Sequence, residues 1–375
     1  MLHIGTEKTG TSSVQKFLAK NRTALAAEGV VYPRFTGADD GSQWGFVAAV
    51  QPRPWQTEIG ARLGIWGEAE ANAYRQRLLE AIDTELWACP SRHTMILSSE
   101  HFHSRLITPA MLRALKSLLG RWGDSVEVVV YFRRQDRVAV SLYSTRLKVG
   151  QTEPCVFPVV SDEPLPYYYD YERIYANWSQ VFGKQAVQVG IFAPDYLVGG
   201  DLLTDFCGRA GVAVKGKKWP AKINESLSDV GVQLVLELNR QWPNKPAKGV
   251  NLSRELLAAR IARENPGRSF PASRSQAQAF YAHFVAGNAR LAKAVFPPME
   301  GALFDENFSD YPDVLPLRST DLSQRVYKRA KVWRAAAAIE QKIGLGPRLL
   351  SVRHALDGAT ARLKSFVARV GRRYL

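Results

Sequence analysis

A chain of 375 residues with 46% hydrophobic and 23% charged residues carries enough apolar surface for a sizeable core and does not have the composition of a disordered protein. No run approaches the roughly 18–20 apolar residues of a membrane span. The opening Met1-Leu2-His3-Ile4-Gly5 is strand-like and lacks the basic-then-apolar order of a cleaved leader. Three cysteines, Cys89, Cys155 and Cys207, lie far apart and outside any C-x-x-C pattern. They argue against a disulfide framework or a zinc site and fit a reducing, cytoplasmic compartment. The net charge of +15 is concentrated at one end. Arg325 to Leu375 hold thirteen Lys or Arg against two acids, Glu340 and Asp357, which leaves only about +4 for the remainder.

In chain order, a short apolar strand at 2–5 runs into a Gly/Thr/Ser-rich loop and then a helix marked by Val14, Phe17 and Leu18, with Leu25 one face further on. Gly29 ends that helix and Val30-Val31-Tyr32 reads as a strand. Residues 36–66, rich in Gly, Pro and Trp, read as loops, and Glu68 to Trp87 as a helix. Thr94 to Ser99 has the pattern of a buried strand ending in polar residues, and Pro109 to Leu119 that of a helix. Val126 to Phe132 is the strongest strand, followed by a helix over Arg134 to Leu147. A strand over Val187 to Phe192 precedes a helix over Leu202 to Ala210, and residues 224–350 are mostly helical in pattern. Strands alternating with helices predict an α/β fold, a largely parallel sheet flanked by helices with a largely helical C-terminal portion. The expected organisation is an α/β domain over 1–320, helical from about 224, and a basic helical extension over 321–375.

Gly5-Thr6-Glu7-Lys8-Thr9-Gly10-Thr11-Ser12 lies between the first strand and the first helix. Glycines let the backbone approach an oxyanion closely, successive N–H groups and the helix N-terminus supply partial positive charge, and Lys8 supplies a full one. Thr11 and Ser12 add hydroxyl donors. The loop differs from the nucleotide-triphosphatase pattern G-x-x-x-x-G-K-[ST], because Lys8 precedes Gly10. The bland alternative is a helix-capping turn. The strongest strand ends in Tyr131-Phe132-Arg133-Arg134, and Ser141 follows Arg133 by eight residues. An arginine at the end of a parallel strand lies on the edge where α/β folds bind ligands. With a serine two helical turns on, it can hold a second phosphate through a bidentate fork.

These two motifs, in this order and on these elements, resemble those of the sulfotransferases that use 3′-phosphoadenosine 5′-phosphosulfate (PAPS). Lys8-Thr9-Gly10-Thr11-Ser12 resembles their 5′-phosphosulfate loop and Arg133 through Ser141 their 3′-phosphate motif. Softer likenesses to bacterial members are Ile96-Leu97-Ser98-Ser99-Glu100, Trp178 with Phe182-Gly183, Asp205-Phe206 and Asn224-Glu225-Ser226-Leu227-Ser228. The resemblance spans roughly residues 1–310. It implies a P-loop-type fold, PAPS as sulfuryl donor, no metal, and transfer to an acceptor hydroxyl on a glycan or lipid-linked sugar. Two departures stand out. The C-terminal Arg-Lys-Gly motif of many members has only a rough counterpart in Lys215-Gly216-Lys217-Lys218, and the chain starts almost on its first strand, without the stalk and anchor of Golgi members.

Sulfuryl transfer shares the demands of phosphoryl transfer, in-line geometry and neutralisation of a charged leaving group. The resemblance then gives Lys8 the leaving-group role, Thr9, Gly10, Thr11 and Ser12 the 5′-phosphate, and Arg133 with Ser141 the 3′-phosphate. The acceptor hydroxyl calls for a general base, for which Glu100 comes first, His101 second and His103 third; a structural alternative for Glu100 is a salt bridge to Arg133. His3 is expected in the scaffold. Trp44, within Gly41 to Gly45, and the run Tyr167 to Tyr171 are candidates for sugar contact. The basic tail has apolar faces at Val332, Ala336, Ile339 and Ile343 and at Leu356, Leu363 and Val367. Such helices can pack on the body or lie on an anionic inner-membrane face; nucleic acid explains the body poorly, because the charge is in the tail. The competing functions are a charge-driven anion-binding protein, a P-loop nucleotide kinase, and a sulfotransferase relative without turnover.

Overall fold

A computed structural model of the protein describes residues 1–34, 41–161, 164–220, 227–243, 252–297, 301–315 and 324, 326 and 327. The chain divides into two compact units. The first takes its described residues from spans 1–141, 157–223 and 272–313, the second from spans 142–156, 224–271 and 314–375.

The first unit is α/β. Strands β1 (Leu2–His3), β4 (Leu97–Ser98), β5 (Val128–Phe132) and β6 (Val187–Ile191) form a four-stranded parallel sheet in the order β4-β1-β5-β6. Leu2 is in register with Leu97 on one side and Val128 on the other, and Val130 with Val189. All five residues of β5 are buried, as expected of a central parallel strand with both faces covered. A separate pair, β2 (Val30–Val31) and β3 (Thr94–Met95), is also parallel. The single apolar run expected at 94–99 therefore serves two sheets, breaking at Ile96, whose N–H bonds to Val31 while that of Leu97 bonds to Met1.

Helices α1 (Thr11–Lys20) and α2 (Arg22–Ala27) stand where one was expected. Asn21 divides them, its amide side chain donating to Phe17 O at 2.8 Å. Val14, Phe17, Leu18 and Leu25 are all buried, together with Ile96, Val129 and Tyr131 in one cluster. The expected loops before residue 66 include short helices α3 (Gly45–Val50) and α4 (Glu58–Arg62). Their buried Phe46, Val47 and Ile59 anchor a stretch whose Gly and Pro content alone suggests only turns; residues 35–40 lie outside the described residues. The helix α5 (Glu68–Trp87) has the expected bounds, and α6 (His101–Arg105) and α7 (Pro109–Leu119) follow. After β5 come α8 (Gln135–Lys148), α9 (Tyr171–Phe182) and, beyond β6, α10 (Leu202–Arg209). Trp178 stacks on Phe182 with centroids 5.3 Å apart, which makes that softer sequence feature part of the core.

The second unit holds α11 (Asp229–Gln241) and α12 (Leu252–Glu264). Asn239 donates to the carbonyls of Leu147 and Gln151, at 2.8 and 2.6 Å, and accepts from Arg254. The first unit regains the chain at α13 (Arg274–Ala282) and α14 (Val285–Val295). Residues 301–315 contain no helix, a turn-rich stretch within a portion that is otherwise mostly helical among the described residues. Phe304, Phe308 and Tyr311 are nevertheless buried, which shows that a turn-rich segment can supply core without helical periodicity. The basic tail lies almost wholly outside the described residues. Among the described residues no helix is long and apolar enough to cross a membrane.

In β6, Gly190 makes room for Tyr131: a Cβ there would meet two ring carbons at 2.6 Å. The ring cannot swing aside easily, because its hydroxyl donates to Asp205 at 2.6 Å. Gly190→Ala is expected to lower stability by about 1–3 kcal/mol through overpacking, read as a lower urea midpoint at unchanged slope.

Candidate active site

Because the four strands of the first sheet are parallel, their C-terminal ends share one edge. The chain leaves β1 for β4 on one side and then passes to β5 on the other. The reversal of strand order therefore falls at the ends of β1 and β5, the place where open α/β sheets bind ligands. Residues 5–10 and Arg133 occupy it.

The loop continues the sheet at its start and leaves it at its middle. Thr6 N donates to Tyr131 O at 3.0 Å and Tyr131 N to Gly5 O at 2.7 Å, so the β1–β5 ladder extends into the loop. Thr6 Oγ1 also donates to Tyr131 O, at 3.0 Å, and Thr9 Oγ1 to Thr6 O at 2.7 Å. Beyond that point the ladder stops. Among the described residues the N–H groups of Glu7, Thr9, Gly10, Thr11 and Ser12 donate to no backbone carbonyl. Lys8 and Gly10 take left-handed conformations, φ 67° and 81°, and Gly10 is the N-cap of α1. A non-glycine residue in that region is uncommon and marks functional segments. Successive amides bent this way form a concave, positively polarised nest that adds to the helix dipole.

The two adjacent arginines separate. Arg134 pairs with Asp136 (Nε to Oδ1, 2.7 Å), donates to the carbonyls of Asp305 and Asn307, and lies 4.0 Å over the Phe308 ring. Its charge is consumed in holding residues 305–311. Arg133 turns to the loop instead: Nη1 donates to Lys8 O at 3.0 Å, and the guanidinium lies 5.6 Å from the Phe192 ring centroid. Among the described residues it has no carboxylate partner within ion-pair distance. Burial, and then the nearby Arg137, push its pKa down to about 10, so it stays cationic at neutral pH while poorly solvated. Tyr171 Oη fixes the strand end by donating to Arg133 O at 2.6 Å. Ser141 is half-buried on α8, about 9 Å along the axis from the first residue of that helix.

Glu100 lies against the start of the loop. A Cβ on Gly5, whose φ is 106°, would come 3.2 Å from Glu100 Cα, so both space and conformation require glycine there. The Glu100 carboxylate accepts from Gln15 Nε2 at 2.8 Å. The salt bridge to Arg133 considered from sequence is not formed; each side chain has another partner. His101 is half-buried and its Nδ1 has no hydrogen-bond partner among the described residues. His103 is different. It is buried, donates from Nε2 to Tyr168 O at 3.3 Å, packs against Tyr167 and Tyr168, and is pushed by burial to a pKa of about 4. It belongs to the scaffold, as does His3, which meets Ser98 Oγ at 2.8 Å and is pushed down to about 3 by burial.

Other sequence candidates fall away from the loop. Lys217 pairs with Glu28 and Lys218 N donates to Asn21 Oδ1. That places the Lys215-Gly216-Lys217-Lys218 stretch at the far end of α1, about 15 Å of helix from Gly10. Trp44, 8% exposed, has no face free for a sugar. Tyr169 and Tyr171 are core residues. Sequence patterning gives no prominence to Gln15 or Phe192 as site residues, and brings in Tyr171 only as part of the aromatic run, for sugar contact. Gln15 is detectable as a polar residue between the core positions Val14 and Phe17; Phe192 carries no local signal, because its importance comes from a strand neighbour. Asn224, Glu225 and Ser226 lie outside the described residues. Among the described residues no group of three or more His, Cys, Asp or Glu is arranged to hold a metal ion.

No protein-family model matches the chain, and no curated protein matches it. Among solved structures, the crystal structure of a sulfotransferase from Alicyclobacillus acidocaldarius aligns over 77% of this chain and 94% of its own, with 15% identity and a TM-score of 0.34. A likeness at that level of identity and superposition does not assign an activity to this chain.

Buried neutral His103 makes the fold sensitive to acid. Its folded pKa of about 4 lies below the unfolded value of roughly 6.5, so the unfolded chain binds more protons between the two. Stability is full above the unfolded value and declines as pH falls towards 4, by on the order of 3 kcal/mol for this residue; His3 continues the trend lower. His103→Phe keeps a ring between the tyrosines and is expected to flatten the fall of Tm between pH 6.5 and 4. An unchanged profile contradicts the assignment.

Proposed function

We propose that this protein is a sulfotransferase that moves a sulfuryl group from PAPS to a hydroxyl, on a glycan or lipid-linked sugar. The observation that supports the reading is, among the described residues, a row of loop amides without backbone partners after β1, next to an arginine without a carboxylate partner after β5. The N–H groups of Glu7, Thr9, Gly10, Thr11 and Ser12, which among the described residues donate to no backbone carbonyl, together with the Lys8 cation suit a 5′-phosphosulfate. The desolvated Arg133, beside them, suits a second phosphate on the same nucleotide. A nucleotide with only a 5′-polyphosphate leaves the second cation unused.

In this reading the acceptor oxygen attacks sulfur in line, the new S–O bond forms as the bridge to the 5′-phosphate breaks, and the products are a sulfate ester and 3′-phosphoadenosine 5′-phosphate. Charge grows on the departing phosphate oxygen. Lys8 neutralises it together with the loop amides, whose directions the backbone already fixes. The acceptor proton goes to Glu100, whose carboxylate Gln15 holds next to the loop, with His101 as the neighbouring alternative. Thr9, Gly10, Thr11 and Ser12 hold the 5′-phosphate, and Arg133 with Ser141 the 3′-phosphate.

Calorimetric titration with 3′,5′-adenosine bisphosphate in magnesium-free buffer tests the donor site. Binding is expected in the wild type, stronger than that of 5′-AMP, and lost in Lys8→Ala. Absence of binding at high micromolar nucleotide removes the basis of the proposal and favours a charge-driven anion-binding protein. Once an acceptor is in hand, Lys8→Ala should lower kcat by about 100-fold or more, and wild-type turnover by that variant would refute the leaving-group role.

A further inference from the structure

Among the described residues the side chain of Arg133 has one hydrogen-bond acceptor, the carbonyl of Lys8, and that carbonyl belongs to the residue with left-handed backbone at the middle of the loop. In a trans peptide the C=O and the following N–H point in opposite directions. Anchoring Lys8 O on a guanidinium therefore fixes the direction of Thr9 N–H, one of the amides without a backbone partner. Thr9 Oγ1, bonded to Thr6 O at 2.7 Å, holds the same turn from its other side. Without the anchor, rotation of the Lys8–Thr9 peptide would release Lys8 from left-handed backbone and turn a carbonyl where a donor is needed.

We infer that Arg133 is a positioning residue for the 5′-phosphate loop as well as a ligand of the 3′-phosphate, so that the two phosphate sites share one side chain and are energetically coupled. This rests on the proposed nucleotide site and adds a feature to it. Arg133 has further N–H donors beyond the one given to Lys8, so it can keep the loop bond while receiving a phosphate. Loss of a 3′-phosphate then affects how firmly the loop is held, and loss of Arg133 affects ligands that have no 3′-phosphate at all.

A nucleotide cycle separates the two roles. 5′-AMP and 3′,5′-adenosine bisphosphate are titrated into wild type, Arg133→Ala and Arg133→Lys. If Arg133 braces the loop, Arg133→Ala weakens 5′-AMP itself by about tenfold, the scale of one charge-assisted hydrogen bond, and weakens the bisphosphate further still. Arg133→Lys keeps a single donor group that can reach Lys8 O, so it restores 5′-AMP binding towards wild type while its preference for the bisphosphate stays reduced. Equal 5′-AMP affinity in all three proteins overturns the inference. A second readout needs no nucleotide: the 15N heteronuclear NOE of Thr9 and Gly10 in the ligand-free protein should fall in Arg133→Ala and recover in Arg133→Lys. Unchanged values contradict the brace. If the wild type binds neither nucleotide, the functional proposal fails, and the NOE comparison alone decides whether the brace exists.

Discussion

The ladder between β1 and β5 does not stop where the strands do. It runs on through Gly5 O and Thr6 N to Tyr131, so the first residues of the loop are held as firmly as sheet. That constraint decides which amides are satisfied and which are not. Up to Thr6 the backbone spends its donors on the neighbouring strand; from Glu7 to the first turn of α1 the chain curls away through Lys8 and Gly10 and its amides have no strand to meet. Amides without a partner are costly in a buried setting; those of Glu7, Thr9, Gly10, Thr11 and Ser12, which among the described residues donate to no backbone carbonyl, open at the sheet edge, where an anion can satisfy them.

The same pairing puts Arg133 beside the loop. One residue later in the chain, Arg134 faces a different environment and is fully used by Asp136 and the carbonyls of Asp305 and Asn307. The contrast is between a cation neutralised within the fold and one held next to a neutral carbonyl. The first stabilises; the second carries a desolvation cost that a bound anion would relieve. Glu100 shows the matching arrangement for a carboxylate. It is oriented by a neutral amide from Gln15 and not by a cation.

Histidine is used in two ways within a few residues. His103 and His3 are kept neutral by burial and serve as packing rings that happen to titrate. His101, at the start of α6 and next to Glu100 in the chain, has an Nδ1 without a hydrogen-bond partner among the described residues. Sequence cannot separate residues 101 and 103, because the difference is the side of a short helix on which each falls and the tyrosines packed against one of them.

The amino-acid sequence by itself determined the alternation of strands and helices, the order of the main elements, and the presence of a lysine-bearing Gly/Thr/Ser loop between the first strand and helix. These follow from local periodicity and from residues with restricted backbone preferences, which act over a few positions. The resemblance of Arg133 through Ser141 to a 3′-phosphate motif also drew attention to Arg133 and not to Arg134. Tertiary structure decided what depends on distant pairing: the splitting of residues 94–98 between two sheets, the bond from Arg133 to Lys8 across 125 positions, the hold of Gln15 on Glu100 across 85, and the relegation of Lys217 to an ion pair at the far end of α1. Each joins residues brought together only by the parallel sheet, whose crossovers set register through long-range contacts that no local pattern encodes.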